Sequence, residues 1–433
     1  YPENPEAGID LFLEKLVQET EKEHEDILEQ ADETDAVFGE LYSWYLRNPE
    51  YRSRVQKLVQ SAFAGKPKDI ISQSVAKALY GEVSPYSATR LERFAACAFA
   101  HFLQYGMKLT ERVEYEFKPM DMGNVMHEAL ESFAEEVRKR GMKWTELTEQ
   151  ERNEIADRCL DNIVADYGNT VLKSSARNEY MIERTRRILR RTVWALQKQL
   201  EQGEFQPEGF EVTFGGGRID RVDIMEDQNK VYVKVIDYKT GNTSFDLVYL
   251  YHGLQLQLMI YLDGALRVEQ KKYPDKEIIP AGVFYYNIKD PMIQEKIDAD
   301  VEAVSAGLMK ELKMNGLVQA DPELVYRMDS SLGSIPVAFN KDGSFRKNSS
   351  VADRTQFAVL GRYVRTKIEK IRSSILEGDA EVSPYELGKK NACTYCPYMT
   401  VCGFDRRLSG YEFRRLKNFS DEELWKAFDR EAE

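Results

Sequence analysis

The sequence predicts an α/β fold, a mixed central sheet flanked by helices behind a helical N-terminal region. Three observations carry that expectation. Residues up to about Gly203 read as helix after helix at the 3.6-residue period. Four β-rich runs then follow, "FEVTF", "GRIDRVDIM", "VYVKVIDY" and "AGVFYYNI". A long helical pattern separates the third run from the fourth, an order that suits one mixed sheet with helices packed against it.

The elements follow from local pattern. "IDLFLEKLVQETEKEHEDILEQ" has apolar positions at helical spacing among many charges, and "YRSRVQKLVQSAFAG" repeats that texture before stopping at Gly65 and Pro67. "VSPYSATRLERFAACAFAHFL" opens on turn residues and becomes helical, with Ser87 or Thr89 as the cap. "MGNVMHEALESFAEEVRKRG" is a strongly amphipathic helix ending at Gly141. "YLYHGLQLQLMIYLDGALRV" reads as one helix despite Gly253. The expected organisation is an acidic helical region over 1–80, a main domain over 81–417 and a tail over 418–433.

Of 433 residues, 42% are hydrophobic and 31% charged, ordinary values for a globular chain. The sequence shows neither a membrane span nor a signal peptide, so a cytoplasmic location is expected. The chain opens on Tyr1 rather than methionine, which suggests a piece of something longer. The net charge of −13 is unevenly spread. Residues 1–50 carry 15 acidic and 3 basic side chains, whereas residues 346–417 carry 15 basic and 8 acidic. In "IERTRRILRRTVW", Arg184, Arg187 and Arg191 share one helical stripe, either a solvated face or a phosphate-facing one; Arg218 is a further candidate for contact with phosphate.

The chemistry centres on "VIDYKTG". In a strand, Asp237 and Lys239 project from one face and Tyr238 from the other. Such a pair is often a plain ion pair. Upstream, however, "GRIDRVD" offers Asp220 and Asp223 on an adjacent run, and two carboxylates sharing a site repel each other unless a cation sits between them. Oxygen ligands of this kind suit Mg²⁺ or Mn²⁺, and Lys239 would stand beside them to orient water or stabilise developing charge. That is equipment for phosphodiester hydrolysis.

The set "GNVMHEAL", "GRIDRVD", "VIDYKTG" and "GLQLQLMIY" resembles the RecB-family branch of the PD-(D/E)XK nucleases, with their restriction-endonuclease-like core. The likeness covers about residues 84–410. It implies that His127, Asp220 and Asp237 hold a divalent metal, with the Tyr238 carbonyl as a further ligand. Asp223 is the rival for the Asp220 role. The same likeness gives Lys239 and Asp237 to catalysis, and Gln257 and Tyr261 to shaping the site or contacting DNA.

Three of the five cysteines crowd into "NACTYCPYMTVCGFD". Cys97, on an aromatic-rich helix, completes four thiolates with Cys393, Cys396 and Cys402; Cys159 reads as packing. Zinc accepts four thiolates, but structural zinc sites usually offer two local pairs. One remote cysteine and a terminal trio resemble instead the [4Fe–4S] clasp of some RecB-family nucleases. Joining positions 97 and 393 closes a 296-residue loop, a tether contributing roughly 5 kcal/mol in the loop-entropy picture.

"AGKPKD" lacks the earlier glycine and following Ser/Thr of a phosphate loop, so ATP-driven unwinding would need another region or chain. The resemblance implies a partner of that sort, an AddA-like motor helicase–nuclease subunit, and single-stranded DNA from unwound duplex as substrate during double-strand break processing. Two other readings stand beside this one. One is a self-sufficient iron–sulfur exonuclease of the CRISPR-associated type; the other is a non-catalytic DNA-binding scaffold. Co-purification of a large ATPase would favour the motor-dependent reading over the self-sufficient exonuclease, and metal-dependent hydrolysis would exclude the scaffold.

Overall fold

The computed structural model of the chain describes residues 33–62, 70–81, 87–110, 119–166, 175–215, 217–293, 300–408 and 410–432. The helix expected over "IDLFLEKLVQETEKEHEDILEQ" lies outside the described residues. The chain divides into two compact units, one formed by Tyr1–Glu82, Ala96–Leu109 and Ser374–Lys417, the other by Val83–Ala95, Thr110–Ser373 and Asn418–Glu433.

The larger unit holds the sheet. Helices α1 (Ala88–Ala96), α2 (Pro119–Lys139), α3 (Glu149–Asp166) and α4 (Ala176–Glu201) precede β1 (Gln206–Phe214), β2 (Gly217–Asp227) and β3 (Lys230–Lys239). After these come α5 (Leu247–Tyr251), α6 (Gln257–Lys272), β4 (Glu277–Asn287), α7 (Val301–Glu311) and β5 (Asn315–Gln319). Helix α8 (Pro322–Met328), β6 (Val351–Ala352), α9 (Arg354–Glu377) and α10 (Asp421–Ala432) complete the run.

The six strands lie side by side in chain order. Pairs β1/β2, β2/β3 and β4/β5 are antiparallel, and β3/β4 and β5/β6 are parallel. A parallel step requires a crossover, which the segment carrying α5 and α6 supplies. Strand β3 is buried at every position from Val231 to Tyr238, as befits a central strand covered on both faces. Phe133, Leu160, Leu189, Ile236, Tyr238, Phe284 and Tyr286 belong to one core that joins α2, α3 and α4 to the sheet. Helix α6 packs on β3 and β4. The architecture is the mixed α/β one that the sequence predicts.

In this unit one expectation is corrected. "YLYHGLQLQLMIYLDGALRV" is two helices, because Gly253 adopts φ +79°, a left-handed backbone that glycine takes at little cost. The break makes Gln257 the first residue of α6. Strands β5 and β6 were not foreseen; at five and two residues they are too short to show a period. Within 418–433, α10 buries Leu424, Ala427 and Phe428, and Phe428 meets Tyr251 and Tyr363 edge-on.

In the smaller unit, helices Glu33–Arg47 and Pro49–Ala62 pack through Tyr45 and Val55. The helix read through Cys97 is corrected as well: Cys97 stands in extended conformation ahead of the short helix Ala98–His101. Strands β7 (Tyr385–Leu387), β8 (Lys390–Asn391) and β9 (Arg414–Arg415) form a second sheet in the order β8-β7-β9, and the cysteine trio falls between β8 and β9.

Candidate active site

Strand alternation does at the end of β3 what the sequence suggests. The Tyr238 ring enters the core, while Asp237 and Lys239 share the opposite face, with Lys239 Nζ 2.6 Å from Asp237 Oδ2. Pairing with β2 brings Asp220 alongside, and its Oδ2 accepts a 2.7 Å hydrogen bond from the Tyr238 N–H. Asp223, the rival, lies in a buried triad with Arg221 at 2.5 Å and Lys234 at 2.9 Å. The triad leaves Asp220 as the β2 carboxylate beside Asp237.

Helix α2 delivers His127. Its Nε2 lies 3.1 Å from the Tyr238 carbonyl oxygen, and Nδ1 lies 3.4 Å from Asp220 and 3.9 Å from Glu211. Gly123, one turn earlier, faces Thr240, where a Cβ would come within 3.4 Å of the Thr240 hydroxyl. From the other side, α6 brings Gln257, whose side-chain oxygen accepts from Lys239 Nζ at 2.8 Å and whose amide donates to the Tyr261 hydroxyl at 2.9 Å. The structure thus brings His127, Asp220, Asp237, Tyr238, Lys239, Gln257 and Tyr261 into one neighbourhood.

Sequence reading missed Glu211. Its carboxylate lies 2.5 Å from Arg218 Nε and joins His127 and Asp220 as one possible ligand group, the three ligand atoms within 4.8 Å of one another. Glu211 holds φ +49°, a left-handed backbone that costs a non-glycine residue about 1–3 kcal/mol and is concentrated at functional sites. In "FEVTF" that conformation leaves no trace, since the alternation of the run carries no sign of it; β1 also shifts register against β2 between Pro207 and Gly209.

The electrostatics show what the group favours. Burial opposes a charged imidazole, yet the Asp220 and Glu211 carboxylates outweigh it and push the His127 pKa up to about 10. Burial, and then the charge of Asp220, push Asp237 up to about 7 although Lys239 pulls the other way. Carboxylates so arranged stabilise added positive charge. Carboxylate oxygens with one imidazole form a donor set that fits a hard divalent cation such as Mg²⁺ or Mn²⁺.

A sequence model of the PD-(D/E)XK nuclease superfamily matches residues 85–403. The chain belongs to this superfamily. Nucleases of the superfamily use divalent metals, in keeping with the donor set. Among similar curated proteins is the AddB subunit of the ATP-dependent helicase/deoxyribonuclease of Lachnoclostridium phytofermentans, 41% identical over 93% of this chain. Its namesake in Thermoanaerobacter sp. is 34% identical over 93%, and that of Clostridium acetobutylicum is 33% identical over 92%. The chain spans 36–37% of the length of these relatives.

In the smaller unit, Cys97, Cys393, Cys396 and Cys402 line one apolar pocket, walled by Phe99, Tyr398 and Phe404 among others. Burial and the three other sulfurs push the Cys393 thiol up to about 12. Four thiolates gathered there need cationic charge between them, so the donor set fits an iron–sulfur cluster or zinc. Cys159 is buried in the core beneath the sheet.

Arg184, Arg187 and Arg191 line one groove on α4 together with Tyr180 and Trp194. Arg187 pairs with Asp290 at 2.6 Å, and Arg191 lies over the Trp194 ring at 5.3 Å. Their neighbours Arg186 and Arg190 are tied to Asp157 and Asp161. Arg218, 63% exposed, stands beside Glu211. Among the described residues, no helix is long and apolar enough to cross a membrane.

Proposed function

We propose that the chain carries the nuclease centre of an AddB-like helicase–nuclease subunit and hydrolyses single-stranded DNA with Mg²⁺ or Mn²⁺ during double-strand break processing for recombination. The observation that carries this reading is the meeting of His127, Asp220 and Asp237 beside Lys239 in a nuclease-superfamily domain. The name of the relatives, which joins helicase to deoxyribonuclease, supports the wider setting. An AddA-like motor subunit would deliver the unwound strand, and the work would take place in the cytoplasm.

His127, Asp220 and Asp237 would hold the metal, with the Tyr238 carbonyl and Glu211 at hand. When bound, it polarises a phosphoryl oxygen and lowers the pKa of a coordinated water. Lys239, held by Asp237 and Gln257, places a fixed ammonium where charge builds as water adds to phosphorus and the alcohol oxygen leaves. Tyr261 and Gln257 keep that ammonium aimed, and Arg184, Arg187, Arg191 and Arg218 offer contacts to the strand's phosphates.

Cys97, Cys393, Cys396 and Cys402 would hold a [4Fe–4S] cluster that clasps a nuclease domain over 81–417, with 1–80 ending a helicase-like region and 418–433 as a tail. Iron, sulfide and zinc analysis of anaerobically purified protein tests the clasp: about four irons and four sulfides per chain are expected, and zinc alone would overturn it. A cleavage assay on single-stranded DNA with and without Mg²⁺ tests the nuclease. Metal-dependent cutting that disappears in Asp237→Ala is the expected result; cutting unchanged in that variant would remove the assigned site.

A further inference from the structure

Helix α6 carries the Gln257–Tyr261 pair, yet its own sequence provides no cap. The residue ahead of its first turn is Leu256, whose side chain offers no acceptor to the N–H groups that every helix leaves unpaired at its start. The acceptor comes from α1. One oxygen of Glu92, Oε1, takes the Leu256 N–H at 2.7 Å and the Gln257 N–H at 2.9 Å. A carboxylate at this end of a helix also meets the positive pole of its dipole.

We propose that Glu92 is a positioning residue for the nuclease centre: by capping α6 it fixes the backbone of Gln257, and through the Gln257 side chain the direction of the Lys239 ammonium. The inference rests on the nuclease reading above. Its geometry is a continuous chain of contacts. From Glu92 two hydrogen bonds lead to the first turn of α6, one leads from Gln257 Oε1 to Lys239 Nζ at 2.8 Å, and Lys239 reaches Asp237 at 2.6 Å. The Gln257 amide is held in turn by the Tyr261 hydroxyl, so the side chain keeps its orientation only while the first turn stays wound. Burial pushes Glu92 up to about 7, while the two helix N–H groups and then Lys239 pull the other way. A hydrophobic residue would cost less at this position unless those amides needed an acceptor.

Two substitutions in the 433-residue chain separate this role from general packing. Glu92→Ala removes the acceptor; Glu92→Gln keeps an oxygen for both N–H groups and removes the charge. Hydrogen exchange at the Leu256 and Gln257 amides is expected to quicken at least about tenfold in Glu92→Ala and to stay near wild type in Glu92→Gln. For single-stranded DNA cleavage, kcat is expected to fall about 10- to 100-fold in Glu92→Ala with KM within about threefold, and Glu92→Gln to recover most of it. Unchanged amide protection in Glu92→Ala, a loss confined to KM, or failure of the Gln variant to restore kcat would each overturn the proposal. If wild type cuts no DNA, the nuclease reading fails, and the amide pattern alone then decides for or against the cap.

Discussion

Asp220 and Asp223 sit three residues apart on β2 and end in opposite electrostatic settings. Burial would raise the Asp223 pKa, but Arg221 and Lys234 hold it below the usual carboxylate range. The chain supplies both counter-charges, and the Arg221 guanidinium lies over the rings of Trp144 and Phe210 as well. Asp220 meets an imidazole and a backbone N–H, with Glu211 and Asp237 nearby. There the carboxylates push the His127 pKa up to about 10, and on the proposed reading a divalent cation supplies the compensating charge instead. Asp223 is compensated by the chain's own cations; on the proposed reading, Asp220 is left for a metal partner.

The largest expected effects set the two regions apart. Asp237→Ala should lower metal-dependent cleavage by about 1,000-fold or more in a gel assay while DNA affinity stays within about threefold. Asp223→Asn should leave cleavage per folded molecule near wild type but cost about 3–5 kcal/mol in urea unfolding, because Arg221 and Lys234 lose their shared anion inside the core. An Asp223→Asn chain as stable as wild type would break the comparison.

Acid sharpens it. The folded pKa of Asp223 lies below its unfolded value of about 3.9, so its stabilisation is complete above that value and drains away as pH falls through the folded pKa. Urea midpoints measured from pH 7 downward should therefore fall further for wild type than for Asp223→Asn, the two converging in strong acid.

Smaller effects fall on the rim of the site. Glu211→Gln should weaken Mn²⁺ binding about 10-fold, read by calorimetry, as removal of groups that hold or orient a metal does. Smallest is Arg184→Ala, which should weaken DNA binding evenly across sequences and lower the salt slope by about one.

Much of this could be read from the sequence because it depends on local periodicity. The alternation of "VIDYKTG" gives the shared face of Asp237 and Lys239, and the amphipathic pattern of "MGNVMHEAL" gives the helix that presents His127. The motif order favours Asp220 over Asp223, but the physical reason was not legible, since Asp223 is engaged by Lys234 across the sheet. Glu211 and Glu92 were hidden for the same reason. One acts through a left-handed backbone next to a register shift, the other by capping a helix that starts 165 residues later. Gly253 was visible, but the helical pattern on both sides masked the break it makes.

The most direct test is the binding of Mn²⁺ to the purified chain, followed by electron paramagnetic resonance or calorimetry. The account predicts one tight ion, lost on Asp220→Asn and kept by folded Asp223→Asn. Equal binding by wild type and Asp220→Asn would contradict it.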